Sequence, residues 1–180
     1  MDSPSRSLRS LAPALGSLAC LAVLVAGAAW LAAENLPTKV PAAPAPVVLK
    51  PGEMVSPFDA EGLDGVTRRI DFPKKTVTIL LFFSSGCPHC HKMIPIWNKW
   101  FDMKPSNLAV VGIIIDKEPQ GFFERMPIHF PVLRSPGSSL LETFKVARIP
   151  LTLRIEPGGK VEEVGLGELD PIRLGQIFRP

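Results

Sequence analysis

A continuous apolar run that leads directly into two closely spaced cysteines constrains this chain more than any other feature. Thr76–Phe83 has the sequence TVTILLFF, which is too short for a typical helix and is typical of a strand buried on both faces. Cys87 follows directly, and apolar residues then recur at helical spacing through residues 88–101. Pro88 suits the first turn of such a helix, where no amide donor is needed. The sequence therefore predicts a strand, a sharp turn carrying Cys87, and a helix carrying Cys90.

The rest of the chain alternates between predicted strands and helices. Leu108–Ile115 has the composition of a second buried strand, and the short apolar run Phe130–Leu133 lies between two predicted helices. Leu151–Ile155 and Val161–Val164 flank a Glu-Pro-Gly-Gly turn and predict a hairpin. The predicted helices after the first are 119–126, 138–146 and 171–178, the last of them capped by Asp170. This order predicts an α/β fold with a central mixed β-sheet flanked by helices.

The first fifty residues have a different character from the rest. Residues 1–10 are polar and contain two arginines, and residues 11–33 are apolar enough to span a hydrocarbon core of about 30 Å. We favour an uncleaved signal-anchor over a signal peptide cut near Ala26-Gly27-Ala28, because the apolar stretch exceeds the usual length of such a region. Residues 34–50, rich in proline and alanine, predict a semi-rigid linker. The ordered domain is predicted over residues 51–180.

Charge and cysteine content exclude some classes of function and suggest a location. The formal charge of +3 comes without a basic run interleaved with aromatics, so nucleic-acid binding has no support. Three cysteines are too few for a disulfide-stapled domain. Cys20 lies within the apolar stretch and is interpreted as a small packing residue rather than a lipid attachment site. Arginines before the span place the tail in the cytoplasm and the domain outside the membrane.

The spacing of Cys87-Pro88-His89-Cys90 predicts redox chemistry. Free amides and the dipole of a first helical turn favour an anion at Cys87, and the thiolate is the species that attacks a disulfide. Cys90, one turn along, is placed to resolve the mixed disulfide. His89 borders both sulfurs, and a charged or donating side chain there would make the pair a better oxidant. We therefore predict Cys87 and Cys90 as catalytic, Pro88 and His89 as tuning the redox potential, and no bound cofactor or metal.

Two other functions are compatible with the same sequence motif. Cys87 and Cys90 followed by His91 match the Cys-x-x-Cys-His signature of covalent c-type haem, with Met93, Met103 or Met126 as a distal ligand. A copper-delivery protein using the same cysteines and neighbouring histidines is a further alternative. The strand that runs into the motif argues against haem, because haem attachment is expected in a helix-rich shell.

Several motifs together resemble the thioredoxin fold. Phe82–Cys90 followed by Ile149-Pro150-Leu151-Thr152 is similar to thioredoxin-like proteins, and residues 51–180 resemble membrane-anchored bacterial thiol–disulfide oxidoreductases of the TlpA/ResA type. Further similarities are Pro51-Gly52, Phe58, Gly65, Asp116 after the second strand, Phe130–Leu133, and Gly158–Val161. The Pro-His dipeptide between the cysteines instead resembles the oxidising, DsbA-like enzymes.

The resemblance implies a cis peptide bond at Ile149-Pro150 that docks an incoming substrate strand. It also implies protein substrates bearing thiols or disulfides, a membrane partner that recycles the redox pair, and a role in cytochrome c maturation or disulfide reduction. The implied location is the bacterial inner membrane, with the catalytic domain in the periplasm. Whether the protein reduces or oxidises its substrates stays open.

Departures from the family leave the proton acceptor for Cys90 open. Where relatives carry a nearby glutamate or a buried aspartate, this chain has Met93 and Leu81. His91, Glu118 and water are the candidates. We predict that His91 points outward as polar surface and that His129 is structural.

Overall fold

The computed structural model describes residues 48–180, and the predicted tail, anchor and most of the linker lie outside them. Within these described residues there are seven strands: β1 Phe58–Gly62, β2 Thr67–Ile70, β3 Val77–Phe83, β4 Leu108–Ile114, β5 Val132–Arg134, β6 Leu151–Ile155 and β7 Val161–Leu166. The described part of the chain also contains four helices: α1 Pro88–Met103, α2 Phe122–Arg125, α3 Ser138–Thr143 and α4 Pro171–Ile177. No helix within residues 48–180 is both long enough and apolar enough to cross a membrane.

The strands form one mixed sheet in the order β2-β1-β5-β4-β3-β6-β7. Strands β3, β4 and β5 are parallel, whereas β6 runs antiparallel to β3 and β7 antiparallel to β6. The predicted α/β class and the predicted hairpin of β6 and β7 are confirmed. The sequence patterns do not predict the hairpin of β1 and β2, which extends the sheet beyond β5.

Strand β3 is buried on both faces, as the sequence predicts. Its odd-numbered residues, Ile79 and Leu81, pack in a cluster with Trp97 of α1 and with residues of α4. Its even-numbered residues, Leu80 and Phe82, pack in a second cluster with Phe144 and the inner residues of β6. Helices therefore cover both faces of the sheet, and the chain passes from the carboxyl end of β3, an interior strand, to the start of α1.

Two predicted helices are shorter than their apolar patterns suggest. Gly121 adopts φ 73° immediately before α2, so that helix begins at Phe122 instead of near residue 119. Helix α3 ends at Thr143, and Lys145 has φ 47° in the left-handed region, which stops the helix short of residue 146. In contrast, Asp170 caps α4 as predicted, since its side chain accepts a hydrogen bond from the Arg173 amide at 2.9 Å.

Candidate active site

The two cysteines of the motif have opposite exposures. Cys87 occupies the cap position of α1 and is half-buried, with Pro88 in the first turn. Its Sγ accepts a hydrogen bond from the Cys90 amide at 3.3 Å. Cys90 is completely buried, and neither sulfur is in a disulfide. One sulfur is therefore presented to solvent at the positive end of a helix, and the other lies one turn behind it.

The surroundings of Cys90 keep it a neutral thiol. Burial, followed by its hydrogen bond and charge interaction with Cys87, raises the pKa of Cys90 to about 12. The negative charge of Asp116 contributes in the same direction. This asymmetry suits a pair in which the exposed sulfur reacts first and the buried one is held back as a thiol.

Asp116 fixes the loop that carries Cys87. Its carboxylate accepts hydrogen bonds from the Ser85 amide at 2.9 Å and the Ser85 hydroxyl at 2.6 Å. Burial alone would raise the pKa of Asp116, but hydrogen bonds from Ser85 and from the Ser84 hydroxyl outweigh that effect, so its pKa is lowered. The Cys87 amide in turn donates to the Ser84 carbonyl at 3.3 Å. Asp116 is thus an ionised anchor for the turn between β3 and α1.

The prediction that His91 is outward-facing polar surface is wrong. Its ring is half-buried, Nε2 lies 2.7 Å from the Ser85 carbonyl oxygen, and the ring centroid lies 6.0 Å from that of Phe122. A carbonyl oxygen only accepts, so Nε2 carries the proton in this contact. His91 therefore holds the same loop as Asp116 from the helix side.

Glu118, the other candidate acceptor, is already paired. Its carboxylate accepts from the Arg134 guanidinium at 2.5 Å, and this hydrogen bond lowers the pKa of Glu118. The positions where relatives carry acidic groups are apolar here, as predicted: Met93 and Leu81 are both buried in the core. His129 has the structural setting expected of it, with its amide 2.9 Å from the Asn98 side-chain oxygen.

The predicted docking residues lie beside His89. The Ile149–Pro150 peptide bond is cis, as the family resemblance implies. Residues from the first turn of α1 and from two loops line a surface cavity of about 320 Å³ here: His89, Arg148, Ile149, Pro150, Gly167 and Glu168. The structure therefore brings the motif and the Ile149-Pro150 loop to one surface.

Sequence reasoning missed Glu168. His89 Nδ1 lies 2.6 Å from a Glu168 carboxylate oxygen, and Lys92 Nζ lies 3.0 Å from the same oxygen. The contact joins residues 79 positions apart, and nothing in the local pattern around Glu168 signals it.

The burial of Cys90 bears on the haem alternative. Covalent c-type haem needs both cysteine sulfurs to reach the porphyrin, and Cys90 has no exposed surface. The His91 ring, which would be the axial ligand, is turned toward the Ser85 carbonyl instead. Across residues 48–180, no three histidine, cysteine or acidic side chains converge as metal ligands. The geometry therefore favours thiol–disulfide exchange by Cys87 and Cys90 over covalent haem attachment.

A half-exposed cysteine at a helix start, a buried partner one turn behind and a cis-proline loop on a thioredoxin-like sheet define a thiol–disulfide oxidoreductase. The AhpC/TSA family model matches residues 51–164, and the chain belongs to that family.

The chain is similar to curated proteins and to solved structures of this class. It is 26% identical over 155 residues to sporulation thiol-disulfide oxidoreductase A of Bacillus subtilis, covering 81% of this chain and 86% of the relative. It is 24% identical to the thiol-disulfide oxidoreductase ResA of Bacillus cereus, and the match covers 65% of this chain and 70% of the relative. The crystal structure of StoA from Bacillus subtilis superposes with a TM-score of 0.59 at 21% identity, covering 69% of this chain and 98% of that one. The exposed lipoprotein thioredoxin Etrx1 of Streptococcus pneumoniae superposes with a TM-score of 0.60 at 22% identity, covering 68% of this chain and 98% of that one.

Proposed function

We propose that Cys87 and Cys90 exchange a dithiol for a disulfide with protein substrates outside the cytoplasm, with Cys87 as the attacking sulfur. The observation that carries this assignment is the difference in burial between the two sulfurs. Cys87 is half-buried at the start of α1, whereas Cys90 is fully buried and has a pKa raised to about 12. A protein substrate can approach only the first.

In the reducing direction, the Cys87 thiolate attacks one sulfur of a substrate disulfide. A mixed disulfide between Cys87 and that sulfur forms, and the other substrate sulfur leaves as a thiolate that takes up a proton. Cys90 then loses its proton to solvent, and its thiolate attacks the Cys87 sulfur. The Cys87–Cys90 disulfide forms, the substrate leaves as a second thiol, and two electrons have passed from the protein to its substrate. The oxidising direction is the reverse of these steps.

The cavity beside His89 supports a docking role for Ile149 and Pro150. The Pro150 carbonyl is already bonded to the Gly167 amide at 2.8 Å. Among residues 48–180, no backbone hydrogen bond outside the regular elements engages Ile149, whose amide and carbonyl are thereby left for a substrate strand. An extended peptide paired there would lie along the surface that His89 borders.

The apolar span over residues 11–33 supports membrane anchoring, with the domain held off the bilayer by the linker at 34–50. The arginines before the span support a cytoplasmic tail and a periplasmic domain at the bacterial inner membrane. A membrane redox protein would then recycle the Cys87–Cys90 pair. Reduction of apocytochrome disulfides to thiols during cytochrome c maturation and reduction of other exported disulfides are the two roles that the family resemblance of residues 51–180 supports.

Trapping separates the roles of the two cysteines. Cys87→Ser in the full chain is expected to abolish insulin reduction and mixed-disulfide formation, because Cys90, the other cysteine within residues 48–180, is fully buried. Cys90→Ser is expected to accumulate mixed disulfides with substrate through Cys87, because the resolving thiol is missing. Cys20→Ser is the matched control, since it removes the third cysteine and should leave both activities unchanged.

Two outcomes would contradict the assignment. Mixed disulfides that form in Cys87→Ser would place the attacking sulfur elsewhere. A Soret absorption band with covalently attached haem in the purified full chain would show that the protein is a haem-binding electron carrier and not a thiol–disulfide oxidoreductase. Mixed disulfides of Cys90→Ser, recovered from intact cells and identified by mass spectrometry, would reveal the substrate protein and the side of the membrane on which the reaction takes place.

A further inference from the structure

His89 does not stand alone beside the redox motif. Its Nδ1 lies 2.6 Å from Glu168, which follows β7, and Lys92 from the next turn of α1 reaches the same carboxylate oxygen at 3.0 Å. Arg148 is the other charged group lining the cavity into which His89 faces. Hydrogen bonds from His89 and then from Lys92 lower the pKa of Glu168, so its carboxylate is an anion at neutral pH.

A cation at position 89 makes a pair of this kind more oxidising. Positive charge near the exposed sulfur stabilises the thiolate of the reduced form, so the disulfide is more readily reduced. A carboxylate bound to that cation offsets its charge and also fixes where the ring lies. The chain therefore combines a dipeptide typical of oxidants with a counter-charge that opposes its effect.

We propose that Glu168 is a positioning residue that holds His89 and places a carboxylate charge beside the motif, making the Cys87–Cys90 couple less oxidising than the motif alone would. This inference rests on the proposed exchange at Cys87 and Cys90 and adds a determinant of its direction. It places the couple nearer to the reductants of the class. Glu168 acts through His89, since its carboxylate is hydrogen-bonded to the side chains of His89 and Lys92 and not to either sulfur.

A second histidine–carboxylate pair, whose carboxylate Asp102 lies on the same helix as His89, provides a matched control. His129 Nδ1 lies 2.9 Å from Asp102, and both side chains are about as exposed as those of His89 and Glu168. Asp102 lies thirteen residues after His89 on α1, which corresponds to about 20 Å along the helix axis. Asp102→Asn therefore removes the same charge from the same kind of pair at a distance where its effect on the sulfurs is screened.

The test is the equilibrium of the full chain with reduced and oxidised glutathione. Glu168→Gln keeps an oxygen that can accept from His89 and removes one negative charge. We expect the equilibrium constant to shift toward the reduced protein by about threefold to tenfold, where tenfold equals about 30 mV for this two-electron couple. The shift should shrink in about 1 M salt, because both side chains are exposed. Asp102→Asn should leave the constant unchanged.

Repeating the substitution in a His89→Ala background tests whether Glu168 acts through the ring. Coupled residues give non-additive effects, so the shift caused by Glu168→Gln should fall to less than half in that background. An equal constant in the parent chain and Glu168→Gln would overturn the role of Glu168, as would a shift that persists in full without His89. Absence of any Cys87–Cys90 equilibrium with glutathione in the parent chain would instead overturn the proposed exchange.

Discussion

Strand β6 runs from the redox end of the central sheet to the opposite end, and the two ends hold their polar groups in different environments. We call the region of Cys87 and Pro150 the redox end, and the region of Arg154 the remote end. Leu151 pairs with Phe82 just before the motif, whereas Ile155 pairs with Thr78 at the start of β3.

At the remote end, a buried arginine has a full set of partners. The Arg154 side chain is 4% exposed, its Nε donates to Glu162 at 2.5 Å, and Nη1 donates to the carbonyls of Ile177 and Arg179 at 2.8 and 2.7 Å. Burial alone would raise the pKa of Glu162, but the hydrogen bond and charge of Arg154 outweigh it and lower that pKa. Arg154 thereby ties the end of α4 to the sheet.

At the redox end, the paired side chains of His89 and Glu168 are accessible. The His89 side chain is 65% exposed and that of Glu168 is 40% exposed. Exposed pairs of this kind contribute little to stability, usually below about 1 kcal/mol. The comparison indicates that the buried Arg154 stabilises the fold, whereas the exposed pair of His89 and Glu168 contributes little to stability.

The largest expected effect is on stability, from Arg154→Met. The substitution leaves the carbonyl groups of Ile177 and Arg179 without their donor, whereas Glu162 keeps its pairing with Arg179. Because an unsatisfied buried acceptor costs about 1–3 kcal/mol, we expect the free energy of unfolding to fall by about 2–4 kcal/mol. Urea unfolding of the reduced full chain measures the loss. The glutathione equilibrium constant of the Cys87–Cys90 couple should be unchanged, because the substitution lies at the far end of β6.

Arg69→Met is the matched control for that experiment. Arg69 on β2 is paired with Asp59 and Asp71, but its side chain is 58% exposed. We expect a loss below about 1 kcal/mol. Equal losses for the two variants, or a shifted redox equilibrium in Arg154→Met, would break the comparison between the two ends.

The next largest effect is a difference in reactivity within the redox end. Burial raises the pKa of Cys90 to about 12, so its thiol form is favoured in the folded state below that pH. At neutral pH, iodoacetamide should modify Cys87 in the reduced chain at least about 100-fold faster than Cys90, since the thiolate is the reactive species. The Cys90 rate should rise only as the pH approaches 12. Mass spectrometry of each peptide measures both rates.

Unfolding provides the control for this difference. In concentrated urea both sulfurs are exposed, and the two alkylation rates should converge. The raised pKa of Cys90 also makes the free energy of unfolding depend on pH. The stabilisation that comes from keeping Cys90 a neutral thiol is fully present below its ordinary pKa of 9.0 and is lost as the pH rises toward 12. Equal rates in the folded chain would show that Cys90 is accessible and that the assigned order of attack is unsupported.

A smaller effect is expected from Asp116→Asn, which weakens the anchor of the Cys87 loop. The carboxylate accepts from both the amide and the hydroxyl of Ser85, and hydrogen bonds to charged groups contribute about 1.5–3 kcal/mol. Because the amide of asparagine retains one acceptor oxygen, we expect a loss of about 1–2 kcal/mol in unfolding free energy. Insulin reduction should slow several-fold because the turn that presents Cys87 loosens.

Ser85→Ala tests the same contact from the other side. It removes the hydroxyl donor and keeps the amide, so its effect should be smaller than that of Asp116→Asn and should not add to it fully. Unchanged stability and unchanged activity in Asp116→Asn would show that the loop is held without this carboxylate.

The redox end also shows how far sequence patterns reach. Strand β3, the start of α1 and the hairpin of β6 and β7 are predictable, because continuous apolar runs, a helix-start proline and a Pro-Gly-Gly turn are local signals. The cis bond at Ile149–Pro150 follows from family resemblance. These elements place the motif and the Ile149-Pro150 loop correctly.

Contacts between distant parts of the chain cannot be predicted in this way. Glu168 meets His89 from 79 positions away, and its own neighbours carry no motif. Helical spacing alone predicts an outward-facing His91. It gives no information on the loop before the helix, whose Ser85 carbonyl contacts the ring. The hairpin of β1 and β2 escapes prediction because β2 is largely exposed and lacks the apolar alternation typical of a strand.

The smallest expected effect is the coupling between the two ends. If each end performs its role independently, the losses caused by Arg154→Met and Asp116→Asn should add to within about 0.5 kcal/mol, as expected for distant sites without shared partners. Urea unfolding of the parent chain, the two single variants and the double variant measures the coupling free energy. A coupling free energy well above that value would mean that the buried arginine influences the Cys87 loop through β6. The remote end would then affect the chemistry as well as the stability of the fold.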